Sequence, residues 1–156
     1  MTLSNDPTSV GFFDRIKKMS SRLILTVALI LAMLFLGLHF AGIAFYLYWM
    51  YWWYDVLMHF LAGIIGGLSA YWVLFCSGRL LSKHDISRKT SVLIVLACMM
   101  IVGVGWEVFE YMYDIAGSGE GYVLDTMNDL VLDGCGAALA VIIATRHNAR
   151  PRVHSL

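Results

Sequence analysis

A single stretch decides the fold of this chain: "VLMHFLAGIIGGLSAYWVLFC", Val56 to Cys76. It has the length and composition of a helix that crosses a bilayer, for which about 20 apolar residues are needed. His59 is its only residue among His, Asp, Glu, Lys and Arg, and Asp55 lies one helical turn before it. Ionisable groups inside a membrane are rare and usually face a partner or a cavity. The stretch therefore predicts a membrane-spanning helix that carries part of a polar site.

Three further apolar stretches have a similar length: Leu23 to Leu47, Val92 to Tyr111 and Tyr122 to Thr145. Of the 156 residues, 60% are hydrophobic and 14% are charged, and the mean hydropathy is +0.73. Soluble domains are less apolar and carry about 25% charged residues. We predict an all-α fold, a four-helix transmembrane bundle that forms a single domain over residues 1–156. The predicted helices lie at about 23–47, 56–76, 92–115 and 122–145.

Basic residues are distributed asymmetrically along the chain. Every Lys and Arg lies before the first predicted helix, in the 77–90 loop, or after the last helix. Four spans place these segments on one side of the membrane, and the positive-inside rule makes that side the cytoplasm. We therefore predict cytoplasmic N- and C-termini in a bacterial cytoplasmic (inner) membrane. The opposite side carries "FYLYWMYWWY", Phe45 to Tyr54, whose rings suit the membrane–water interface.

Several functional classes lack their sequence signals. Cys76, Cys98 and Cys135 lie inside apolar runs without a CxxC pair, so neither a redox pair nor a structural zinc site is indicated. The sequence has no glycine-rich phosphate loop and no basic stripe for binding nucleic acid. Gly63 and Gly67 form a GxxxG step, which favours close helix packing in lipid. The residues left to carry chemistry are the acids and histidines.

Acidic residues and one histidine gather at the ends of three predicted helices: Asp55 and His59 begin the second, Glu107 and Glu110 lie near the end of the third, and Asp125, Asp129 and Asp133 begin the fourth. Alternating helix direction brings these ends to the side opposite the basic segments. At 1.5 Å per residue, His59, Glu107 and Asp129 each lie roughly 5 to 6 Å below the interface. Spacings of three and four residues place the members of each set on one helical face. We therefore expect the three sets to face one another inside the bundle.

A divalent metal ion is the predicted occupant of this cluster, with shared protons as the alternative. A lone acid or base at the centre of a membrane helix costs about 2.5 to 3.5 kcal/mol, and several like charges need compensation. No Lys or Arg lies in this half of the spans to provide it, whereas carboxylates with imidazole suit Zn, Mn, Fe or Mg. The role of His39 in the first helix is left open. The predicted metal ligands are His59, Glu107, Asp129, Asp133 and Asp125, and the predicted catalytic groups are Glu110 and Asp55.

Three motifs carry a family resemblance: "DVLMHFLAG" at Asp55 to Gly63, "WEVFE" at Trp106 to Glu110, and "DTMNDLVLDGCGAALA" at Asp125 to Ala140. In this order they resemble the VanZ-like and YjdF-like families of small bacterial membrane proteins. Two positions depart from the VanZ-like pattern, because Val56 stands in place of Lys and Asp133 in place of Asn. The resemblance implies a helical membrane fold. For a few VanZ-like members it also implies tolerance of glycopeptide antibiotics.

Two functional classes remain open. The first is a metal-dependent hydrolase whose site faces away from the cytoplasm and acts on a lipid-linked or cell-envelope substrate. The second is a proton- or cation-coupled transporter or sensor, or an accessory membrane subunit, with a network of protonated carboxylates. Transport predicts polar residues toward the cytoplasmic side, which the inner halves of the last three helices lack apart from Ser69. A homo-oligomer could supply such a pathway between subunits, and the lipid bilayer is the expected partner in both classes.

Overall fold

The computed structural model describes residues 7–78, 80–81, 86–113 and 121–147, which are helical apart from short connections. The elements are α1 (Pro7–Ala44), the one-turn α2 (Leu47–Met50), α3 (Trp52–Tyr71) with a π-helical extension (Trp72–Cys76), α4 (Arg88–Tyr113) and α5 (Tyr122–His147). Four segments are long and apolar enough to cross a membrane: Ser21–Ala44, Trp52–Cys76, Arg88–Tyr113 and Tyr122–Arg146. The described residues contain no strand. The predicted all-α bundle of four transmembrane helices is confirmed.

The first helix begins at Pro7, well ahead of the predicted residue 23, and the other differences from the predicted helix ends are four residues or fewer. The first long helix ends at Ala44, because the chain reverses at Tyr46, whose φ of 57° is left-handed. The helix α3, the second of the predicted spans, begins at Trp52, ahead of the predicted residue 56. The helix α4, the third of the predicted spans, begins at Arg88, ahead of the predicted residue 92. Its predicted end at residue 115 lies outside the described part of the chain, which omits residues 114–120.

The closest helix packing joins α3 to α5. A Cβ at Gly67 would lie 2.7 Å from Cα of Ala137, and one at Gly63 would collide with the main chain of Asp133. A Cβ at Gly136 would collide in the same way with the carbonyl of Phe60. Small residues at such a crossing let two backbones touch, which is how helices associate in lipid. Because residue numbers rise together across this contact, α3 and α5 are parallel.

The helices α1 and α4 run in the opposite direction. At one end of the bundle the Tyr54 hydroxyl donates to the carbonyl of Leu38, 2.7 Å away, near the end of α1. At the other end the Trp72 indole donates to the Ser21 hydroxyl, 3.1 Å away, near the start of the α1 span. A Cβ at Gly103 in α4 would lie 2.8 Å from Leu130 in α5, which fixes the α4–α5 contact. The start of α3, the end of α4 and the start of α5 therefore share one end of the bundle.

Polar and apolar cores occupy different halves of the bundle. The half with the basic helix ends contains the apolar core: Ile24, Ala28, Leu68, Tyr71, Phe75, Val95, Met99, Ala137, Ala140, Val141 and Ala144. The other half contains the buried acids Glu107, Asp129 and Asp133. Among residues whose burial the structure describes, Ser91 is the only other buried polar residue, and it lies at the basic end. The fold thus confines buried charge to one half of the membrane.

Candidate metal site

His59 on α3 lies at the centre of the polar half. Its Nε2 atom is 3.7 Å from Oδ1 of Asp55 and 3.8 Å from Oδ2 of Asp129. Its other ring nitrogen, Nδ1, is 3.6 Å from Oδ1 of Asp133. The four-residue spacing on α3 explains the first contact, and the close α3–α5 crossing explains the other two. One imidazole therefore contacts three carboxylates from two helices.

Asp129 and Asp133 form a buried stripe on the face of α5 that meets α3. Their side chains are 5% and 10% exposed, because a spacing of four residues keeps both inside the bundle. Glycines on both neighbouring helices make room for them: Gly63 contacts the Asp133 main chain, and a Cβ at Gly103 would lie 3.4 Å from Asp133 Oδ2. Within the described residues, Asp133 Oδ1 is buried without a hydrogen-bond partner. These two acids are fixed by helix packing.

Asp55, His59 and Asp129 each offer one ligand atom, and these atoms all lie within 4.8 Å of one another. Ligands about 2.1 Å from a tetrahedral ion lie roughly 3.4 Å apart, so an inward shift of about 0.3 Å would bring the His59 contacts to that spacing. No Lys or Arg lies between residues 23 and 78 or between residues 90 and 145 to balance the carboxylates. An oxygen-rich donor set with one imidazole fits a divalent cation. The residues present therefore fit a metal ion.

Glu107, a predicted ligand, is buried in a different set of contacts. Its Oε2 atom accepts a hydrogen bond from the Thr126 hydroxyl at 2.8 Å. Its main-chain carbonyl accepts one from the Tyr122 hydroxyl at 2.9 Å. Both donors come from the first turns of α5, so they join the end of α4 to the start of that helix. Sequence analysis did not identify either donor, because a threonine and a tyrosine in an apolar run carry no distinctive spacing.

The remaining predicted residues lie around this centre. Asp125, a predicted ligand, is exposed one turn before Asp129, and Glu110 is partly buried near the end of α4. Neither residue belongs to the group whose ligand atoms lie within 4.8 Å of one another. Asp55, predicted as a proton-transferring group, has its carboxylate within that group. The structure thus places Asp55, rather than Asp125, beside His59.

A second polar contact, between His39 and Tyr48, lies close to the carboxylates. Nδ1 of His39 is 2.9 Å from the Tyr48 hydroxyl. The Tyr48 ring packs edge-on against the Tyr54 ring, with the two ring centroids 5.0 Å apart. Gly42 accommodates these rings, since a Cβ there would lie 2.8 Å from Tyr54 Cε1. Thus Tyr48 and Tyr54, two residues of the aromatic segment Phe45 to Tyr54, turn inward. His39, whose role the sequence left open, contacts Tyr48.

Tyr48 lies outside the membrane-spanning segments and holds its proton strongly. Burial raises the pKa of the Tyr48 phenol from 10.0 to about 12, and the nearby Tyr54, Asp55 and Glu110 add to the rise. The folded protein therefore binds this proton more tightly than the unfolded chain does. The resulting contribution to stability is present below pH 10 and is lost as the pH rises toward about 12.

We expect Tyr48→Phe to lose less stability than the wild type when the pH becomes alkaline. At neutral pH the variant should unfold more easily by about 1 kcal/mol, because the hydrogen bond with His39 is lost. From about pH 10 to pH 12 its unfolding midpoint in detergent should fall less steeply than that of the wild type. Tyr46→Phe, at an exposed position in the same segment, is the control and should follow the wild type. Parallel slopes for Tyr48→Phe and wild type would contradict this assignment.

The fold and the site define a class of protein. Large apolar side chains such as Ile30, Ile101 and Val131 are exposed on the outside of the long helices, as expected for surfaces that face lipid. The molecule is thus a four-helix membrane protein with an internal carboxylate–histidine cluster. Residues 9–150 match the family model described as "Predicted membrane protein (DUF2238)", and the chain belongs to that family. Comparison with curated proteins and with solved structures gave no match.

Proposed function

We propose that the protein binds one divalent metal ion between α3 and α5, with Asp55, His59 and Asp129 as ligands. The observation that carries the proposal is the convergence of their three ligand atoms within 4.8 Å. The unbalanced negative charge of the surrounding carboxylates supports it, because buried acids in a membrane need a cation or a proton. Zn, Mn, Fe and Mg are the ions that suit such a donor set.

The proposed activity is metal-dependent hydrolysis of a lipid-linked or cell-envelope substrate. When bound, a divalent ion at this place supplies Lewis acidity and activates water at neutral pH. Glu110, partly buried at the same end of the bundle, would accept and return the proton. The Asp55 side chain is 34% exposed, which leaves the cluster accessible from the membrane surface. Glu107, held by Thr126, would keep the end of α4 in position beside the cluster.

The proposed orientation has both termini in the cytoplasm and the cluster in the outer leaflet. Arg22, Arg88 and Arg146 lie at one end of the bundle, and positive residues favour the cytoplasmic side. The site then faces the cell envelope, in the inner membrane of a bacterium. The resemblance of the three motifs to VanZ-like and YjdF-like proteins supports this assignment, because those families contain small bacterial membrane proteins.

Transport is less well supported than binding and hydrolysis. A proton- or cation-coupled transporter needs polar groups across the whole membrane. The half of the bundle beyond Asp133 is filled by the apolar core, in which Val95, Ala137 and Val141 are fully buried. Among the residues that the structure describes, the buried polar side-chain groups of that half are Ser91 and the hydroxyl of Tyr71. A single chain packed in this way favours a site that opens on one side.

The proposal is tested by measuring metal in the protein purified in detergent, using elemental mass spectrometry. We expect about one metal ion per wild-type chain and a large loss in Asp129→Asn, because a neutral amide is a weaker ligand than a carboxylate. Asp125→Asn is the matched control, since Asp125 lies one turn away on α5 but is exposed. Metal loss in the control would overturn the ligand set. A metal-free wild type that resists chelators would favour shared protons instead.

A further inference from the structure

The two ring nitrogens of His59 face different carboxylates. Nε2 faces Asp55 and Asp129, at 3.7 and 3.8 Å, and Nδ1 faces Asp133 at 3.6 Å. A neutral imidazole carries a proton on one nitrogen and a free lone pair on the other. If Nε2 binds a metal ion, Nδ1 carries the proton and needs an acceptor. Asp133 is the carboxylate on that side of the ring.

Asp133 lies on α5 one helical turn beyond Asp129, further from the start of that helix than the other acids. Its Oδ1 atom is buried and has no hydrogen-bond partner in the described part of the chain. A buried acceptor without a donor costs about 1 to 3 kcal/mol, and more when it is charged. Nδ1 of His59 is a candidate donor 3.6 Å away, and a closer approach of about 0.5 Å would make a hydrogen bond of ordinary length.

The helix contact fixes where the Asp133 carboxylate lies. Its main chain touches Gly63, which follows His59 by one turn on α3, and Gly103 borders its other oxygen. Because its main chain is held against α3 by this contact, Asp133 reaches His59 from the Nδ1 side of the ring. Metal-bound histidines usually donate their second ring N–H to a carboxylate, carbonyl or water. The position of Asp133 matches that pattern.

We propose that Asp133 is a positioning residue that accepts the Nδ1–H of His59 and thereby presents the Nε2 lone pair to the metal ion. This inference rests on the proposed metal site and changes the sequence-based prediction, in which Asp133 was itself a ligand. Asp133 selects the tautomer and orientation of His59, while Asp55 and Asp129 complete the ligand set. Loss of such an outer carboxylate typically weakens metal binding 10- to 100-fold, without removing a ligand.

The test is a zinc titration of protein stripped with a chelator and held in detergent, with a competing chromophoric chelator. We expect Asp133→Asn to keep the wild-type stoichiometry and to bind zinc about 10-fold more weakly, because an amide oxygen still accepts the Nδ1–H. Asp133→Ala, which removes the acceptor, should bind about 100-fold more weakly. Asp129→Asn is the comparison, because it alters a proposed ligand. Gel filtration and circular dichroism establish that each variant is folded.

Two spectroscopic readouts separate positioning from packing. In nitrogen-15 spectra of histidine-labelled protein, the zinc-loaded wild type should show His59 protonated at Nδ1, with its signals identified by their absence from His59→Gln. Asp133→Ala should lose that single tautomer. X-ray absorption at the zinc edge should show the same number of ligands in Asp133→Asn as in the wild type. A merely structural role would lower thermal stability and leave the tautomer unchanged.

Each outcome is decisive. Wild-type zinc affinity in both Asp133 variants would overturn the positioning role and leave the metal site intact. Asp133→Asn could instead behave like Asp129→Asn and lose stoichiometric zinc or one zinc ligand. That result would make Asp133 a ligand and would also overturn the positioning role. Absence of zinc binding by the wild type would overturn the metal site itself, and the inference with it. We expect zinc affinity to fall from the wild type to Asp133→Asn and again to Asp133→Ala. That order would support both the metal site and the positioning role of Asp133.

Discussion

Gly136→Ala is expected to prevent α3 and α5 from packing and to give a protein that unfolds readily in detergent. The added Cβ would collide with the Phe60 carbonyl, and it would lie 2.9 Å from the Ile64 nitrogen and 3.1 Å from the Gly63 carbonyl carbon. Backbone atoms cannot rotate away as a flexible side chain can. Overpacking commonly lowers the free energy of unfolding by about 1 to 3 kcal/mol. Because this collision is with main-chain atoms, we expect a loss of about 3 kcal/mol or more.

The matched control is Gly105→Ala on α4. A Cβ there meets nothing within 4 Å, and the position is exposed. Alanine is the better helix former by about 1 kcal/mol, so the control should be as stable as the wild type or slightly more stable. The measurement is the unfolding midpoint of both variants in the same detergent. Equal midpoints would show that the α3–α5 contact is looser than the structure indicates.

Separation of α3 and α5 should also abolish the proposed site in Gly136→Ala. His59 lies on α3 and Asp129 on α5, so the 3.8 Å contact between them depends on the helix crossing. A displacement of about 1 Å would take this contact further from the roughly 3.4 Å that separates two ligands of one tetrahedral ion. Zinc binding should therefore be lost in Gly136→Ala and retained in Gly105→Ala. Retained binding in both would place the metal elsewhere.

Among substitutions of the clustered polar residues, His59→Ala is expected to have the largest effect on metal binding. It removes the group that contacts Asp55, Asp129 and Asp133 together. Loss of this ligand should weaken zinc binding by more than the roughly 100-fold expected when only an outer partner is lost. The three carboxylates would then remain without the imidazole between them. We expect the metal-free variant to share protons among these acids, because the membrane disfavours several adjacent negative charges.

His39→Ala is the control for His59→Ala. His39 lies on α1 and contacts the Tyr48 hydroxyl, so its removal should change zinc affinity by less than about twofold. The two variants are compared by the same competition titration, with elemental analysis of the purified proteins. Equal losses in both variants would contradict the assignment and would point to a general effect on folding. Wild-type affinity in His59→Ala would remove His59 from the ligand set.

The four helices and the depth of the polar residues could be predicted from the sequence. Hydropathy defines spans because a bilayer imposes one length on every helix that crosses it. Alternating helix direction and a spacing of four residues predict that His59 and Asp129 lie at one level and face the interior. In the structure these side chains are 12% and 5% exposed. Their role as metal ligands stays a prediction.

Rotation about each helix axis and the shape of the connections could not be predicted. Asp125 lies in the first turn of α5, at the end of the bundle, and is exposed although it is only four residues from the buried Asp129. Asp55 lies beside His59, as the four-residue spacing predicted, because α3 begins at Trp52 and includes Asp55 in its first turn. The inward turn of Tyr48 depends on the left-handed backbone of Tyr46. No spacing in the sequence predicts that conformation for a tyrosine.

The parallel pairing of α3 with α5 sets the order in which the site is assembled. Asp129 follows His59 by 70 positions, with the whole of α4 between them. At roughly 5 to 20 residues per second, synthesis reaches Asp129 roughly 4 to 14 s after His59. During that interval Asp55 and His59 enter the membrane without their partners from α5. The complete set of proposed ligands exists only after the last described helix has inserted and packed, so loading of the proposed metal ion would belong to the final stage of biogenesis.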